Sequence, residues 1–136
     1  MLMKTHLTFA GTCEEAFGFY QQLFGGADLV SHTYGETPSS SEVPEAWHSK
    51  IVHASLTLNG TTITGVDILP DLYKPPQGFF LLHELSEPNE ARRVFDALAE
   101  GGTVQMPLQK TFWAPLFGVV IDKFGVPWEI NCVADI

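Results

Sequence analysis

The hydrophobic and polar positions of the chain follow one order twice: a strand, a helix and then three further strands. In the first copy, residues 3–10 alternate between the two faces of a predicted strand, with Leu7 and Phe9 on one face. A second strand is predicted over 27–34, and a hairpin of two strands over 50–68. Alternation of this kind is typical of strands in a sheet that has one covered face and one open face.

A helix is predicted between the first two strands, over residues 14–24. Its apolar stripe at helical spacing consists of Ala16, Phe19, Tyr20, Leu23 and Phe24. Thr12 is the expected N-cap, and Glu15, three residues later, completes the pattern of a capping box. The pair Gly25-Gly26 should end the helix, because glycine readily takes the left-handed conformation found after helix C-termini.

The second copy begins with a strand over 79–85 and a helix over 90–100, with Ser86 as the expected N-cap. The core stripe of this helix is Ala91, Val94, Phe95 and Leu98. Gly101-Gly102 should end the helix as the glycine pair ended the first, and a strand is predicted over 103–108.

The closing hairpin repeats the hairpin of the first copy. Residues 50–60 align with 115–125, since both are apolar strands that run into a glycine. In this alignment Thr64 is the counterpart of Glu129, an acid between Trp128 and Ile130. An acid among large apolar strand residues needs a reason, because a buried carboxylate without a partner is costly.

The repeat predicts an α+β fold of two tandem β-α-β-β-β units, 1–69 and 77–136, joined by a proline-rich linker at 70–76. Each helix should cover one side of its sheet, and the two units should form a curved mixed sheet around a cleft. A ferredoxin-like sandwich would need a second helix per unit, and the pattern shows one. The polar residues 35–49, with Trp47, form a long loop that is open to interpretation as a lid.

Composition and charge narrow the possible partners. Seven basic and sixteen acidic residues give a net charge of −9, which argues against nucleic acid or an anionic membrane as partner. Cys13 and Cys132 lack a CxxC partner, so a disulfide framework or zinc ribbon is not expected. The N-terminus has no signal-peptide pattern and no run is long enough to span a membrane, so a cytoplasmic location is expected.

Three segments carry a resemblance to a known family: Phe9–Gly26 (FAGTCEEAFGFYQQLFGG), Leu98–Leu108 (LAEGGTVQMPL) and Thr111–Cys132 (TFWAPLFGVVIDKFGVPWEINC). Through them the chain resembles the PhnB-like branch of the vicinal oxygen chelate superfamily, which includes glyoxalase I, extradiol dioxygenases, and fosfomycin and bleomycin resistance proteins. The resemblance implies the paired-unit fold and a homodimer, with clefts completed by both chains and units that can be exchanged between them. Such chains are sometimes labelled methyltransferases. This sequence does not support that label, because it has no glycine-rich nucleotide loop after a strand.

The resemblance also implies where a divalent metal would bind. Metal enzymes of the superfamily place one ligand on the first strand and one on the fourth strand of each unit, where the ion acts as a Lewis acid. Glu129 matches the fourth-strand position of the second unit, whereas its counterpart Thr64 is a poor ligand. On the first strands, His6 is a near match, and Phe80 and Leu82 cannot ligate. Two ligands fall short of the three or four that are usual.

The residues expected to line the ligand-binding cleft are His6, His53, Phe112, Trp113 and Glu129. The alignment pairs His53 with Gly118, and the parity of His83 places it beneath the second helix. The preferred hypothesis is a protein that binds an unidentified small molecule without a complete metal site. One alternative is a divalent-metal-dependent lyase, isomerase or dioxygenase that uses Glu129 with His6. Another is a dimeric accessory domain with no ligand.

Overall fold

The computed structural model describes residues 1–133. The chain divides into two compact units, Met1–Lys74 and a second that starts at Pro75. Each unit contains one four-stranded mixed sheet and one α-helix longer than two turns. The predicted β-α-β-β-β order is therefore confirmed in both halves. Within 1–133, no helix is both long and apolar enough to cross a membrane.

The first unit contains five regular elements. They are β1 (Thr5–Phe9), α1 (Cys13–Phe24), β2 (Ala27–Thr33), β3 (Ile51–Leu58) and β4 (Thr61–Asp67). The strand order in the sheet is β1-β4-β3-β2, with β1 parallel to β4 and the other neighbours antiparallel. The fourth strand thus lies next to the first.

Helix α1 packs its apolar stripe against this sheet. Its buried residues are Cys13, Ala16, Phe17, Tyr20 and Leu23. The prediction omitted Phe17 and included Phe19 and Phe24, which are only half-buried. Gly65 of β4 explains how Phe17 fits, because a Cβ at that position would lie 2.7 Å from the Phe17 ring. The ring also meets Phe9 edge-on, with centroids 6.1 Å apart.

The start of α1 is held by a distant acid and not by a capping box. Thr12 is the N-cap residue, as predicted, but its side chain makes no capping hydrogen bond. Instead, the buried Asp67 at the end of β4 accepts hydrogen bonds through Oδ1 from the backbone N–H of Gly11 and of Cys13, each at 3.0 Å. Its Oδ2 accepts from the N–H of Ile51 at 2.9 Å. One carboxylate therefore joins the helix start, β3 and β4.

Residues 35–49 form turns of helix instead of an irregular loop. Three short 3-10 helices cover the segment and its approach: Tyr34–Glu36, Pro38–Glu42 and Glu45–Trp47. The backbone N–H of Gly35 donates to the carbonyl of His48 at 2.9 Å, and the His48 ring bonds to the carbonyl of Ser40 at 3.0 Å. Trp47 is half-buried. The segment is thus folded back on itself by its own hydrogen bonds.

The second unit repeats the α-helix and the four strands of the first in the same order. It contains β5 (Leu81–Leu85), α2 (Pro88–Ala99), β6 (Thr103–Gln109), β7 (Leu116–Ile121) and β8 (Pro127–Cys132). The strand order is β5-β8-β7-β6, again with the first strand parallel to the fourth. This is the order of the first sheet, position for position.

The N-cap of α2 lies one residue later than expected, although the helix itself begins before residue 90. Glu87 and not Ser86 is the N-cap, and Pro88 is the first helical residue, where its missing N–H leaves no hydrogen bond unmade. The predicted stripe is confirmed, because the buried residues are Ala91, Val94, Phe95 and Leu98. Gly118 of β7 allows the close approach of the helix, since a Cβ there would lie 2.7 Å from the Phe95 ring.

A second buried acid, Asp122, shapes the turn of the closing hairpin. Its Oδ1 accepts from the backbone N–H of Phe124 at 2.9 Å and of Val126 at 3.0 Å. Its Oδ2 accepts from the indole N–H of Trp128 at 3.0 Å. The turn therefore has its own internal hydrogen-bond acceptor, so burial of the carboxylate is compensated.

The two hairpins differ in register by one residue. Thr64 pairs with Ser55 across β3, whereas Glu129 pairs with Val119 across β7, so the second connection is one residue longer. The alignment of Thr64 with Glu129 agrees with these pairings. The alignment of His53 with Gly118 is wrong, because the longer turn shifts β7 and makes Phe117 the counterpart of His53.

Candidate functional site

Each sheet has one face covered by its helix and one face that the helix leaves open, here called the helix-free face. In the first unit, Leu7 and Phe9 of β1 are buried on the helix side, so the residues between them face the other way. Strand pairing then assigns the remaining strands to the two faces. The helix-free face of the first sheet comprises His6, Thr8, Val30, His32, His53, Ser55, Thr57, Thr62, Thr64 and Val66.

His6 lies beside Thr64 on this face. The two residues are partners in the parallel β1–β4 register, and His6 Nδ1 and Thr64 Oγ1 share a hydrogen bond of 2.7 Å. The predicted first-strand and fourth-strand positions of the first unit therefore do meet. Thr64 can orient the imidazole, but a neutral hydroxyl is a poor partner for a divalent ion.

His53 lies on the same face but not beside His6. It is on β3, and β4 separates that strand from β1. Its partner in the β2–β3 register is His32, which the sequence reasoning did not single out. Both rings are exposed, and the structure thus pairs His53 with another histidine.

In the second unit, Glu129 occupies the corresponding place on β8. Its partner in the parallel register is Leu82, and its antiparallel partner is Val119. Glu129 is half-buried, and no hydrogen bond or ion pair to its carboxylate is found within residues 1–133. Leu82 and Val119 offer no polar side-chain group, so nothing replaces the water that the half-buried carboxylate has lost.

Two residues further along, Asn131 and Glu84 form the next polar pair of the helix-free face. The Asn131 amide donates to a Glu84 carboxylate oxygen at 3.2 Å. The Asn131 Oδ1 atom is buried and has no partner in the described part of the chain. Sequence parity could have indicated Asn131, which is two residues from Glu129 and therefore on the same side of β8.

Aromatic side chains border these polar groups. Trp113 meets Phe117 edge-on with centroids 5.2 Å apart, and Phe112 meets Trp113 at 4.8 Å. Phe112 is 97% exposed and Trp113 49% exposed, whereas Phe117 is buried against Ala114 and Val119. The helix-free face of the second unit thus offers exposed rings close to a buried apolar cluster, as ligand sites commonly do.

His83 lies beneath α2, as its parity predicted. Its partner in the β5–β8 register is the fully buried Ile130, on the helix side of the sheet. Burial lowers the pKa of His83, and the nearby Glu90 carboxylate of α2 opposes part of that effect. His83 is therefore half-buried on the helix side of the sheet and is not a candidate ligand on the helix-free face.

Neither cysteine has the surroundings of a nucleophile. Cys13 and Cys132 are both buried. Burial raises the pKa of the Cys13 thiol, and the negative charges of Asp67 and Glu14 raise it further. Since the thiolate is the reactive form, Cys13 is a packing residue.

A surface pocket of about 490 Å³ lies at the start of α1. Its lining residues include Thr12, Glu15, Lys50 and Asp67. The Lys50 ammonium donates to the carbonyl of Gly11 at 3.0 Å, and Asp67 is fully used by three backbone N–H groups. Lys50 and Asp67 therefore hold the fold, and none of the predicted cleft residues lines this pocket.

The residues present do not fit the metal site of the superfamily. Of the four positions, His6 and Glu129 could ligate, and their strand partners Thr64 and Leu82 could not. Across residues 1–133, no group of three or more His, Cys, Asp or Glu side chains is placed to hold a metal ion. A divalent ion in a protein usually has at least three protein ligands, so His6 and Glu129 do not make up such a site.

The topology defines the fold class of the chain. Two β-α-β-β-β units with the same strand order form the fold of the vicinal oxygen chelate superfamily. The fosfomycin resistance protein FosX from Listeria monocytogenes has this fold, with a TM-score of 0.66 and 12% identity over 100% of this chain and 93% of that chain.

Within that class the chain belongs to the PhnB-like family. The matching family model is described as 3-demethylubiquinone-9 3-methyltransferase and covers residues 2–131. Protein YjdN from Escherichia coli is 37% identical over 98% of this chain and 96% of its own length. Protein PA1353 from Pseudomonas aeruginosa gives a TM-score of 0.88 and 39% identity over 99% of both chains. The PhnB protein from Bacillus cereus gives 0.84 and 28% over 98% of this chain and 100% of that one.

Proposed function

We propose that this PhnB-like protein binds a small molecule on the helix-free face of its second unit, without using a complete metal site. The observation that carries the proposal is the Glu129 carboxylate, which is half-buried between Leu82 and Val119 and has no partner within residues 1–133. A ligand that donates a hydrogen bond or carries a positive charge would supply the missing partner.

The aromatic residues support a ligand with a planar apolar part. The exposed rings of Phe112 and Trp113 lie at the border of the apolar cluster that contains Phe117. A flat group could extend this edge-on series and cover apolar surface that is now exposed. His6 and His53 stay predictions for ligand contacts on the first unit's own face.

A thermal-shift screen of metabolites and planar drugs, followed by calorimetric titration of the hits, tests the proposal. A ligand at one hundred times its Kd should stabilise the protein by about 2.7 kcal/mol. Glu129→Gln should weaken binding on the order of tenfold or more, because hydrogen bonds to charged groups contribute about 1.5–3 kcal/mol. Glu100→Gln, which changes an exposed acid, should leave it unchanged. Hits that bind both variants equally well would contradict the assignment of Glu129.

Elemental analysis separates this proposal from a metal-dependent enzyme. Protein purified without chelator or affinity tag should contain less than stoichiometric Zn, Mn, Ni or Fe. A stoichiometric metal that is lost in Glu129→Ala would overturn the proposal in favour of a metal-dependent lyase, isomerase or dioxygenase. If no compound shifts the melting temperature and no metal is present, the remaining interpretation is an accessory domain without ligand.

We also propose that the protein is a cytoplasmic homodimer. Large apolar side chains are exposed on the second unit: Phe79, Phe80, Leu82, Val104, Phe112 and Trp113. Exposed apolar surface of this kind commonly marks an interface. The location is proposed because the two cysteines form no disulfide framework. Light scattering coupled to size exclusion should give twice the chain mass, and a monomer at all concentrations would contradict the dimer.

A further inference from the structure

We propose that the ligand of the second unit is a planar organic cation that carries N–H donors, such as an amidine, a guanidine or a protonated heteroaromatic amine. This inference rests on the proposed small-molecule function and names the ligand class for the same face. It adds Glu84 and Asn131 to Glu129 as the residues that select the ligand.

The charged side chains that the second sheet presents on its helix-free face are carboxylates. Its four strands contain no Lys or Arg, and their one histidine, His83, lies on the helix side. Glu84 and Glu129 both project from the helix-free face, since their register partners Asn131 and Leu82 do so as well. An anionic ligand would be repelled by both acids, whereas a cation would be attracted to them and also to the net charge of −9 on the chain.

Asn131 adds an acceptor without a donor to this face. Its Nδ2 donates to Glu84 Oε2 at 3.2 Å, so the amide oxygen points away from Glu84. The opposite amide orientation would set two oxygens against each other, because a carboxylate has no donor. Asn131 Oδ1 is buried and has no hydrogen-bond partner within residues 1–133. A buried acceptor in that state favours an occupant that supplies a donor.

The spacing of these acceptors suits a planar group with several N–H bonds. Glu129 and Asn131 are two residues apart on β8, which places their Cα atoms about 6–7 Å apart. Glu84 lies diagonally from Glu129 on the neighbouring strand, at about 8 Å between Cα atoms. An amidinium or guanidinium directs parallel N–H bonds at a carboxylate and keeps others for a second acceptor. A compact ammonium acts instead as a point charge.

Aromatic rings continue the same row of side chains. Phe117 is the antiparallel partner of Asn131, and Trp113 meets Phe117 edge-on with centroids 5.2 Å apart. Trp113 is 49% exposed, so part of its indole surface is open to a ligand. Cations bind favourably over aromatic faces, and most strongly over that of tryptophan. The apolar and the acidic parts of the face therefore both favour a planar cation.

Three probes of one size and three charges test the proposal: benzamidine, benzamide and benzoate. Each is titrated into ¹⁵N-labelled protein and followed by NMR, where the Trp113 indole N–H and the Asn131 side-chain NH₂ report on the site. Benzamidine should shift both signals and bind on the order of tenfold more tightly than benzamide, because hydrogen bonds to a charged group are the stronger ones. Benzoate should bind most weakly.

Variants assign the preference to single residues. Glu129→Gln should raise the Kd of benzamidine on the order of tenfold and remove most of its advantage over benzamide. Glu84→Gln should cost a few-fold, because that carboxylate is exposed and solvent screens it. Asn131→Leu should also weaken benzamidine, yet leave the melting temperature of the free protein unlowered, since it removes an acceptor that has no donor. Glu100→Gln, an exposed acid after α2, is the matched control and should change nothing.

The possible failures separate this inference from the small-molecule proposal. Benzamide or benzoate that binds as tightly as benzamidine, with the same shifts at Trp113 and Asn131, would overturn the cation and leave a small-molecule site in place. Benzamidine binding that Glu129→Gln does not weaken, or shifts confined to the first unit, would overturn the assignment to this face. No shift with any of the three probes would overturn the inference, while the wider screen still tests whether the face binds another small molecule.

Discussion

Replacing Asp67 by alanine should destabilise the first unit more than any exposed substitution. The side chain is 1% exposed and accepts three backbone hydrogen bonds, from Gly11, Cys13 and Ile51. Alanine removes the acceptor and leaves those N–H groups in place. The start of α1 and the start of β3 lose their common partner.

The expected decrease in the free energy of unfolding follows from how deeply each donor is buried. The bonds from Cys13 and Ile51 are buried, whereas the bond from Gly11 is only partly buried, so water can replace its acceptor. A buried donor left without an acceptor costs about 1–3 kcal/mol, which gives about 2–6 kcal/mol for two donors. Removing a buried charge offsets part of this cost. About 3 kcal/mol is therefore expected, a large fraction of a typical stability of about 5–15 kcal/mol.

Urea unfolding followed by circular dichroism would measure the change, and hydrogen exchange would show where protection is lost. Protection should fall in α1 and β3 and remain in the second unit. Asp67→Asn should be intermediate, because its amide oxygen can keep two donors while its NH₂ group faces the Ile51 N–H. Asp71→Ala, an exposed acid, is the control and should change stability by less than about 0.5 kcal/mol. An Asp67→Ala variant as stable as this control would refute the reasoning.

The remaining predictions concern the two helices and the pH dependence of stability. Gly118→Ala should destabilise the protein by about 1–3 kcal/mol in urea unfolding, because the new Cβ would lie 2.7 Å from the Phe95 ring. Gly18→Ala, where a Cβ meets nothing within 4 Å, should instead stabilise α1 by about 0.5–1 kcal/mol, and equal effects would contradict the packing argument. Burial lowers the pKa of His83 from 6.5, so the unfolded chain binds its proton more readily and stability should decrease as the pH falls below about 6.5. His83→Leu should reduce that slope in unfolding measured at several pH values, and an unchanged slope would exclude His83 as its source.

The elements of the fold could be predicted because their signals are local. The stripe of α2, from Ala91 to Leu98, recurs at helical spacing and is buried as predicted. The capping of α1 could not be predicted, since its acceptor Asp67 lies 55 residues after Thr12 in sequence. The alignment of His53 with Gly118 was wrong because the turn that holds Asp122 contains one residue more than the turn of the first hairpin. Register depends on turn length, which composition alone does not give.

The candidate site could be predicted only in part for the same reason. Glu129 was identified because an acid among apolar strand residues is unusual, and the structure does place it between Leu82 and Val119. The pairing of His32 with His53 was missed because the two residues lie on different strands. Cross-strand neighbours become visible only when the register is known.

The two buried acids differ in how far along the chain their hydrogen-bond partners lie, and the two halves should therefore fold in a different order of steps. Asp122 bonds to residues two to six positions away, so the closing hairpin can complete its turn as soon as it is made. The partners of Asp67 lie 16 to 56 residues earlier. During synthesis, α1 must wait for the last strand of its unit before its first turn gains an acceptor. The first unit should therefore acquire stable structure all at once after residue 67 emerges, whereas the second can begin from its closing hairpin.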